Sequence, residues 1–334
     1  MKPAVTPPRP WDATSLFPEL TAHARTAVRL HPVPASPSPL DSSAGGPLAW
    51  PADEPWPTCP GGRHLRYGPP HRTADVRGER STSFAHHGEI GWDEIPEDTA
   101  WPLLPVLQVY AADVPWYDGF PADRDVLQIL WCPFQHAYGE PGTAPYNGIA
   151  GPWVSLRYRR SADLGDAFLT PPDPVAVGEP GYLPTPCRLR PEPVTEYPHP
   201  GALGEDFEAG VTAWEQATFP HPDDPDDYEP RYAWDLSTAP GWKLGGHEPW
   251  NYQGYDGPVR CGSCDGELRF VAAIAGREWD GGTESWAPLG SRVSSPSTRS
   301  RHQEPTEVRL GHGETMRVFD CPRSADHPVV SDLG

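Results

Sequence analysis

Proline sets the first limit on what this chain can fold into. It has no amide hydrogen and clashes with the preceding turn of a helix, and 47 prolines run through a 334-residue chain that also carries 33 glycines. Few stretches between prolines are long enough for a helix of several turns. Strands are short and accept proline at their ends, so short strands wrapped by long loops are expected. A chain this rich in Pro and Gly can also stay disordered. The aromatic content decides the matter: 14 Trp, 12 Tyr and 9 Phe are more apolar surface than an unfolded chain leaves in water. The expected fold class is α+β and mostly β, with few helices.

The formal net charge is −20 and the 26 Lys and Arg are spread thinly. That disfavours nucleic-acid binding, which needs clustered cations against phosphate. A basic protein partner fits better; the plainer alternative is an acidic surface that keeps the chain in solution. No apolar run approaches the length that crosses a bilayer, and no early apolar segment follows a basic start, so no membrane role and a cytoplasmic location are expected. Six cysteines are too few for a disulfide scaffold, and several lie near histidines or one another, which favours metal.

Residues 1–41 read as a helix over Thr14 to Leu30, from Leu16, Leu20, Ala24, Ala27 and Val28 at roughly helical spacing, followed by a Pro-rich connector. Residues 42–160 form a first β lobe with strands at Leu103 to Ala111, Val126 to Trp131 and Trp153 to Tyr158, and an insertion loop over about 66–97. Residues 161–236 form a Pro-rich and acidic connector containing one helix, Glu205 to Thr218, with Phe207, Val211 and Trp214 at helical spacing. Residues 237–334 form a second β lobe with strands at Leu268 to Ala275 and Met316 to Phe319, and a mobile loop over about 276–304.

Cys261 and Cys264 form a Cys-x-x-Cys on a Gly-rich turn, where backbone freedom lets both sulfurs face one tetrahedral centre. Cys321 and His327, just after the Met316 to Phe319 strand, supply the other half of a site. A redox pair or two unrelated turn cysteines is the alternative.

The two lobes carry the same features in the same order. Gly45-Gly46 answers Gly245-Gly246, Glu54-Pro-Trp56 answers Glu248-Pro-Trp250, and Leu127 to Pro133 answers Met316 to Pro322, with Cys132-Pro over Cys321-Pro. The chain therefore reads as an internal duplication. The first lobe then owns a second candidate set, Cys59, His64, Cys132 and His136. Two thiolates and two imidazoles suit tetrahedral zinc, while Cys132 behind Trp131 reads equally as a buried core residue.

Ser42 to Pro51 with Leu107-Gln-Val-Tyr-Ala111, and Lys243-Leu-Gly-Gly246 with Cys261-x-x-Cys264 and its following apolar strand, resemble the YwqG-like family of bacterial proteins of unknown function. The resemblance covers about residues 28–160 and 236–334. Eukaryotic relatives of that family include the programmed cell death protein 2 group, linked to ribosome biogenesis as a ribosomal-protein chaperone. The resemblance implies a duplicated, mostly β architecture and a protein-handling role. Val271-Ala-Ala-Ile274 stands where the family's strand carries Gln, so a role for that Gln is carried over only to Gln108 and Gln128.

Three function classes follow. An enzyme needs a constellation, and the chain has no nucleophile elbow, phosphate loop, His-Glu-x-x-His or dinucleotide fingerprint. A zinc-stabilised protein-binding module is the favoured reading: a chaperone, assembly factor or immunity-type protein holding a basic segment in a cleft between the lobes. Trp50, Trp56, Trp242 and Trp250 flank the Gly-Gly turns and are the aromatic candidates to line that cleft; filling the two cores is their alternative role. A metal-dependent enzyme of unknown reaction is the second reading, and a plain structural or storage role has no support.

Overall fold

A computed structural model describes residues 5–61, 64–65, 68–78, 89–95, 99–136, 151–218, 231–249, 258–291 and 295–334. Its strands fall in chain order as β1 (Arg25–Arg29), β2 (Val33–Pro34), β3 (Ser43–Ala44), β4 (His71–Arg72), β5 (Leu104–Tyr110), β6 (Val126–Gln135) and β7 (Pro152–Arg159). They continue as β8 (Ala176–Val177), β9 (Cys187–Arg188), β10 (Glu192–Glu196), β11 (Lys243–Gly245), β12 (Arg269–Ala275), β13 (Thr315–Asp320) and β14 (Val330–Leu333). The helices are short, α1 (Ala13–Leu16), α2 (Thr73–Gly78) and α4 (Pro296–Gln303), apart from α3 (Glu205–Thr218). The fold is mostly β, as the proline content requires.

Two six-stranded sheets carry the structure, in the orders β2-β9-β3-β5-β6-β7 and β10-β1-β11-β12-β13-β14, and β4 pairs with β8 in a small third one. The two large sheets share an order when β3, β5, β6 and β7 are read against β11, β12, β13 and β14. They also share an irregularity. Register slips between Pro105 and Leu107 in β5 and between Phe270 and Ala272 in β12, so Val106 and Val271 are extra residues at the same place. In the first sheet, Pro105 and Pro133 sit at such breaks, where a strand can spare an amide.

Alternation along each strand sends one row inward and the next outward. Ala44, Leu107 and Ile129 of the first sheet and Val28, Leu244, Ala272 and Val318 of the second are fully buried in one shared cluster. Tyr158 of β7 donates to Asp320 of β13 at 2.9 Å, a further tie between the sheets. The sheets therefore meet through a packed core, and among the described residues the faces that meet there are closed rather than parted by a cleft.

Several expectations are corrected. The helix expected over 14–30 is a strand in its second half: Pro18 ends α1 early, and Arg25-Thr-Ala-Val-Arg29 inserts between β10 and β11. The lobe boundaries also shift. The first sheet takes β2 and β9 from outside 42–160, and the second takes β1 and β10 from outside 237–334. Each half of the chain thus completes the other's sheet. The stretch 276–304, expected as a mobile loop, buries Trp279 and Trp286 and contains α4. The helix expected at 205–218 is α3, whose Phe207 and Val211 pack on Phe17 and Leu20 of the N-terminal segment. The acidic stretch 221–229 and the His86-His87 pair lie outside the described residues.

The Gly-Gly turns close the short third strand of each sheet. Gly45 and Gly46 have φ of +72° and +75°, and Gly245 and Gly246 have +61° and +74°. This left-handed backbone strains any L side chain, and space forbids one as well: a Cβ on Gly246 would stand 2.6 Å from the Ala27 Cβ, and one on Gly45 2.9 Å from the Thr185 backbone.

Candidate metal centres

Both groups of ligands lie on the outward face at the end of the same strand position. In β6, Gln128, Leu130 and Cys132 alternate outward; in β13, Arg317, Phe319 and Cys321 do so. Strand β6 delivers Cys132 and, one residue beyond its end, His136. Strand β13 delivers Cys321 just past its end, and a turn carrying Ser324 N–H to the Cys321 carbonyl and His327 N–H to the Ser324 carbonyl, both at 3.3 Å, returns His327. The other ligands come from the loops before β5 and β12. Cys59 is fixed by its N–H to the Trp101 carbonyl at 2.7 Å, and His64 by a backbone bridge to His136. In the Cys-x-x-Cys turn, Cys261 N–H reaches the Gly266 carbonyl at 2.8 Å and Asp265 N–H reaches the Cys261 carbonyl at 2.9 Å. Asp265 takes φ +53°, which folds the knuckle back.

The donor atoms of Cys59, His64, Cys132 and His136 all lie within 4.8 Å of one another, as do those of Cys261, Cys264, Cys321 and His327. In the first centre, Cys59 Sγ is 3.5 Å from His64 Nε2 and 3.3 Å from His136 Nε2, and Cys132 Sγ is 3.4 Å from His64 Nε2. In the second, Cys264 Sγ and Cys321 Sγ are 3.7 Å apart, and His327 Nδ1 is 3.5 Å from Cys261 Sγ and 3.2 Å from Cys321 Sγ. A tetrahedral ion with metal–sulfur bonds of ~2.3 Å separates two sulfurs by ~3.8 Å and a sulfur from an imidazole nitrogen by ~3.6 Å. The observed edges match that size. Both groups can hold a metal ion.

The two centres differ in wrapping. Cys132 is buried in an aromatic cluster with Trp56, Trp101 and Phe134, His136 is buried as well, and Cys59 and His64 are half-buried. Cys261 and Cys321 are buried among Leu268 and Phe319, with Cys264 and His327 half-buried. Thiols this close share protons unequally. Hydrogen bonding from Cys132 holds the Cys59 thiol far below its ordinary range, while burial pushes Cys132 up. A thiolate ready to ligate is thus favoured at Cys59.

The remaining candidates are placed differently. Gln108 and Gln128 face each other across β5 and β6 and are fully buried. Gln108 Oε1 accepts from Ala49 N–H and from Gln128 Nε2, both at 2.8 Å, and Gln108 Nε2 donates to the Pro39 carbonyl at 2.7 Å. Gln128 also accepts from Arg159, whose guanidinium makes two 2.7 Å bonds to Glu54. The pair holds the chain after the Gly-Gly turn and contacts no open surface. Ala273 holds the corresponding register position in β12, beside Lys243 of β11. There the fully buried Lys243 ammonium bonds both Glu196 oxygens and the His247 carbonyl instead.

Trp50, Trp56 and Trp242 are buried, their indole N–H groups donating to the carbonyls of Glu54, Leu103 and Ala275. They fill cores and line no cleft. Trp250 lies outside the described residues. The sequence reading missed His71, Glu89, Trp92 and Glu179, which line a cavity beside the first centre; they come from separate segments, three of them within the stretch expected as an insertion loop, and no spacing marks them.

No protein-family model matches the chain, and no curated protein matches it either. No helix among the described residues is long and apolar enough to cross a membrane.

Proposed function

We propose that this chain is a zinc-stabilised protein-binding module of the cytoplasm, with a chaperone, assembly-factor or immunity-type role toward a basic protein segment. The observation that carries the reading is closure. Each centre offers four Cys or His donors at tetrahedral separations, and four protein ligands leave no open position for substrate, which is the mark of a structural rather than a catalytic zinc. Thiolate and imidazole donors select zinc over harder cations. With the metals spent on structure, activity falls to the surface, and a net charge of −20 suits a basic partner, speeding its capture by long-range attraction.

The resemblance to the YwqG-like family supports a protein-handling role in the same direction. The shared strand order, the paired Gly-Gly turns and the common bulge support an origin by internal duplication.

Co-purification from the native cell at low and at high salt tests the function. A basic protein retained at low salt and released at high salt is expected, because exposed charges are screened beyond about 8 Å at physiological ionic strength. A small metabolite retained and turned over would replace this reading with that of a metal-dependent enzyme.

A further inference from the structure

A cavity of about 150 Å³ opens beside the first metal centre, lined by Leu65, His71, Glu89, Trp92, Gln135 and Glu179 among others. Its walls are fixed by backbone bonds. Leu65 N–H donates to the Gln135 carbonyl at 2.9 Å and Ile90 N–H to the Pro70 carbonyl at 2.9 Å. Gly178 N–H donates to the Pro133 carbonyl at 2.9 Å, and the Trp92 indole N–H to the Gly68 carbonyl at 2.8 Å. His71 bridges Glu89 on one side and pairs with Val177 on the other. Trp92 is further held by its ring contact with Phe134, 5.4 Å between centroids. Two wall residues, Leu65 and Gln135, adjoin the ligands His64 and His136, so the metal centre and the cavity share a frame.

The chemistry of the walls selects the occupant. Of the lining residues, Glu89 and Glu179 are exposed, while Trp92 and His71 are half-buried. No Lys or Arg lines the cavity among the described residues. Carboxylates with an aromatic ring form a cation-accepting set. The volume is well below the ~300 Å³ at which pockets for whole small-molecule ligands begin, so it suits one side chain rather than a metabolite.

We propose that this cavity receives one cationic side chain, arginine or lysine, of a bound protein segment. The assignment rests on the binding-module reading and locates its specificity.

The probe is a blocked Gly/Ser peptide carrying a single arginine, compared with the same peptide carrying citrulline, which keeps the shape and loses the charge. Binding is measured to the full-length, metal-loaded protein at low salt by calorimetry. The parent should bind the arginine peptide about tenfold or more tighter than the citrulline peptide, and the double variant Glu89→Gln/Glu179→Gln should lose that preference. A charge-matched control, Glu205→Gln/Glu208→Gln on the exposed face of α3, should keep it. Equal loss in both variants would mean diffuse charge and overturn the cavity assignment, as would a preference surviving Glu89→Gln/Glu179→Gln. A parent that binds neither peptide overturns the assignment and counts against the basic-segment reading as well.

Discussion

Single side chains carry much of the stability. Cys261 is one of three thiols in the second centre, and Cys261→Ser leaves only two sulfurs and an imidazole. Elemental analysis and thermal melting should show about one zinc lost per chain and a stability loss of several kcal/mol together; an unchanged metal count would exclude the assignment. A second residue-scale prediction concerns Glu278, buried with Oε1 accepting Trp242 N–H at 3.0 Å and Oε2 without a hydrogen bond, 3.7 Å from His31 Nδ1. Burial pushes its carboxyl from 4.5 up to about 7, against the pull of Arg29. The folded state therefore holds a proton that the unfolded chain releases, and this contribution to stability is full below pH 4.5 and lost as pH rises to about 7. Glu278→Gln copies the protonated form. Denaturation at several pH values should find it more stable than the parent above pH 7, by about 3 kcal/mol, with the advantage vanishing toward pH 4.5; a pH-independent difference would contradict the account.

At the scale of elements, what the sequence showed and what it hid have physical reasons. Strands β5, β6, β7, β12 and β13 were legible because they are short stretches rich in apolar, β-branched and aromatic residues, too short for buried helices. Strand β1 was not. Its Ala27 and Val28 fell into a helical spacing with Leu16, Leu20 and Ala24, whereas Arg29 is fully buried, donating to the Trp286 carbonyl at 2.9 Å and the Glu278 carbonyl at 3.3 Å. A buried arginine held by distant carbonyls leaves no local mark. The eight candidate ligands were legible from spacing and chemistry, but the burial of Gln108 and Gln128 depends on where the chain after Gly46 returns, which spacing does not encode. The Gly-Gly turns give the element-scale prediction. Gly246→Ala sets a methyl against Ala27 and Glu196 at a left-handed φ, and should lower stability by about 1–3 kcal/mol, read as a lower denaturant midpoint. An unchanged midpoint would mean that this turn is not held as described.

For the whole molecule, the exchanged strands mean that neither half owns its sheet. Strand β1 crosses to β2 through His31, at φ +42°, and β9 leads to β10 in the reverse direction, so each half supplies one inner strand, β1 or β9, to the other's sheet. The loops that carry the ligands lie on the outward faces, away from that core. A metal there would clamp the loop before the fourth strand position of each sheet to the end of the fifth, beside the small apolar clusters that already join them. Two such clamps, one per sheet, are therefore expected. The most direct measurement is the zinc content of protein purified without chelators, by elemental analysis against quantified chain. About two zinc per chain are expected, falling together with thermal stability when the metal is stripped; folded protein carrying no zinc would exclude both clamps.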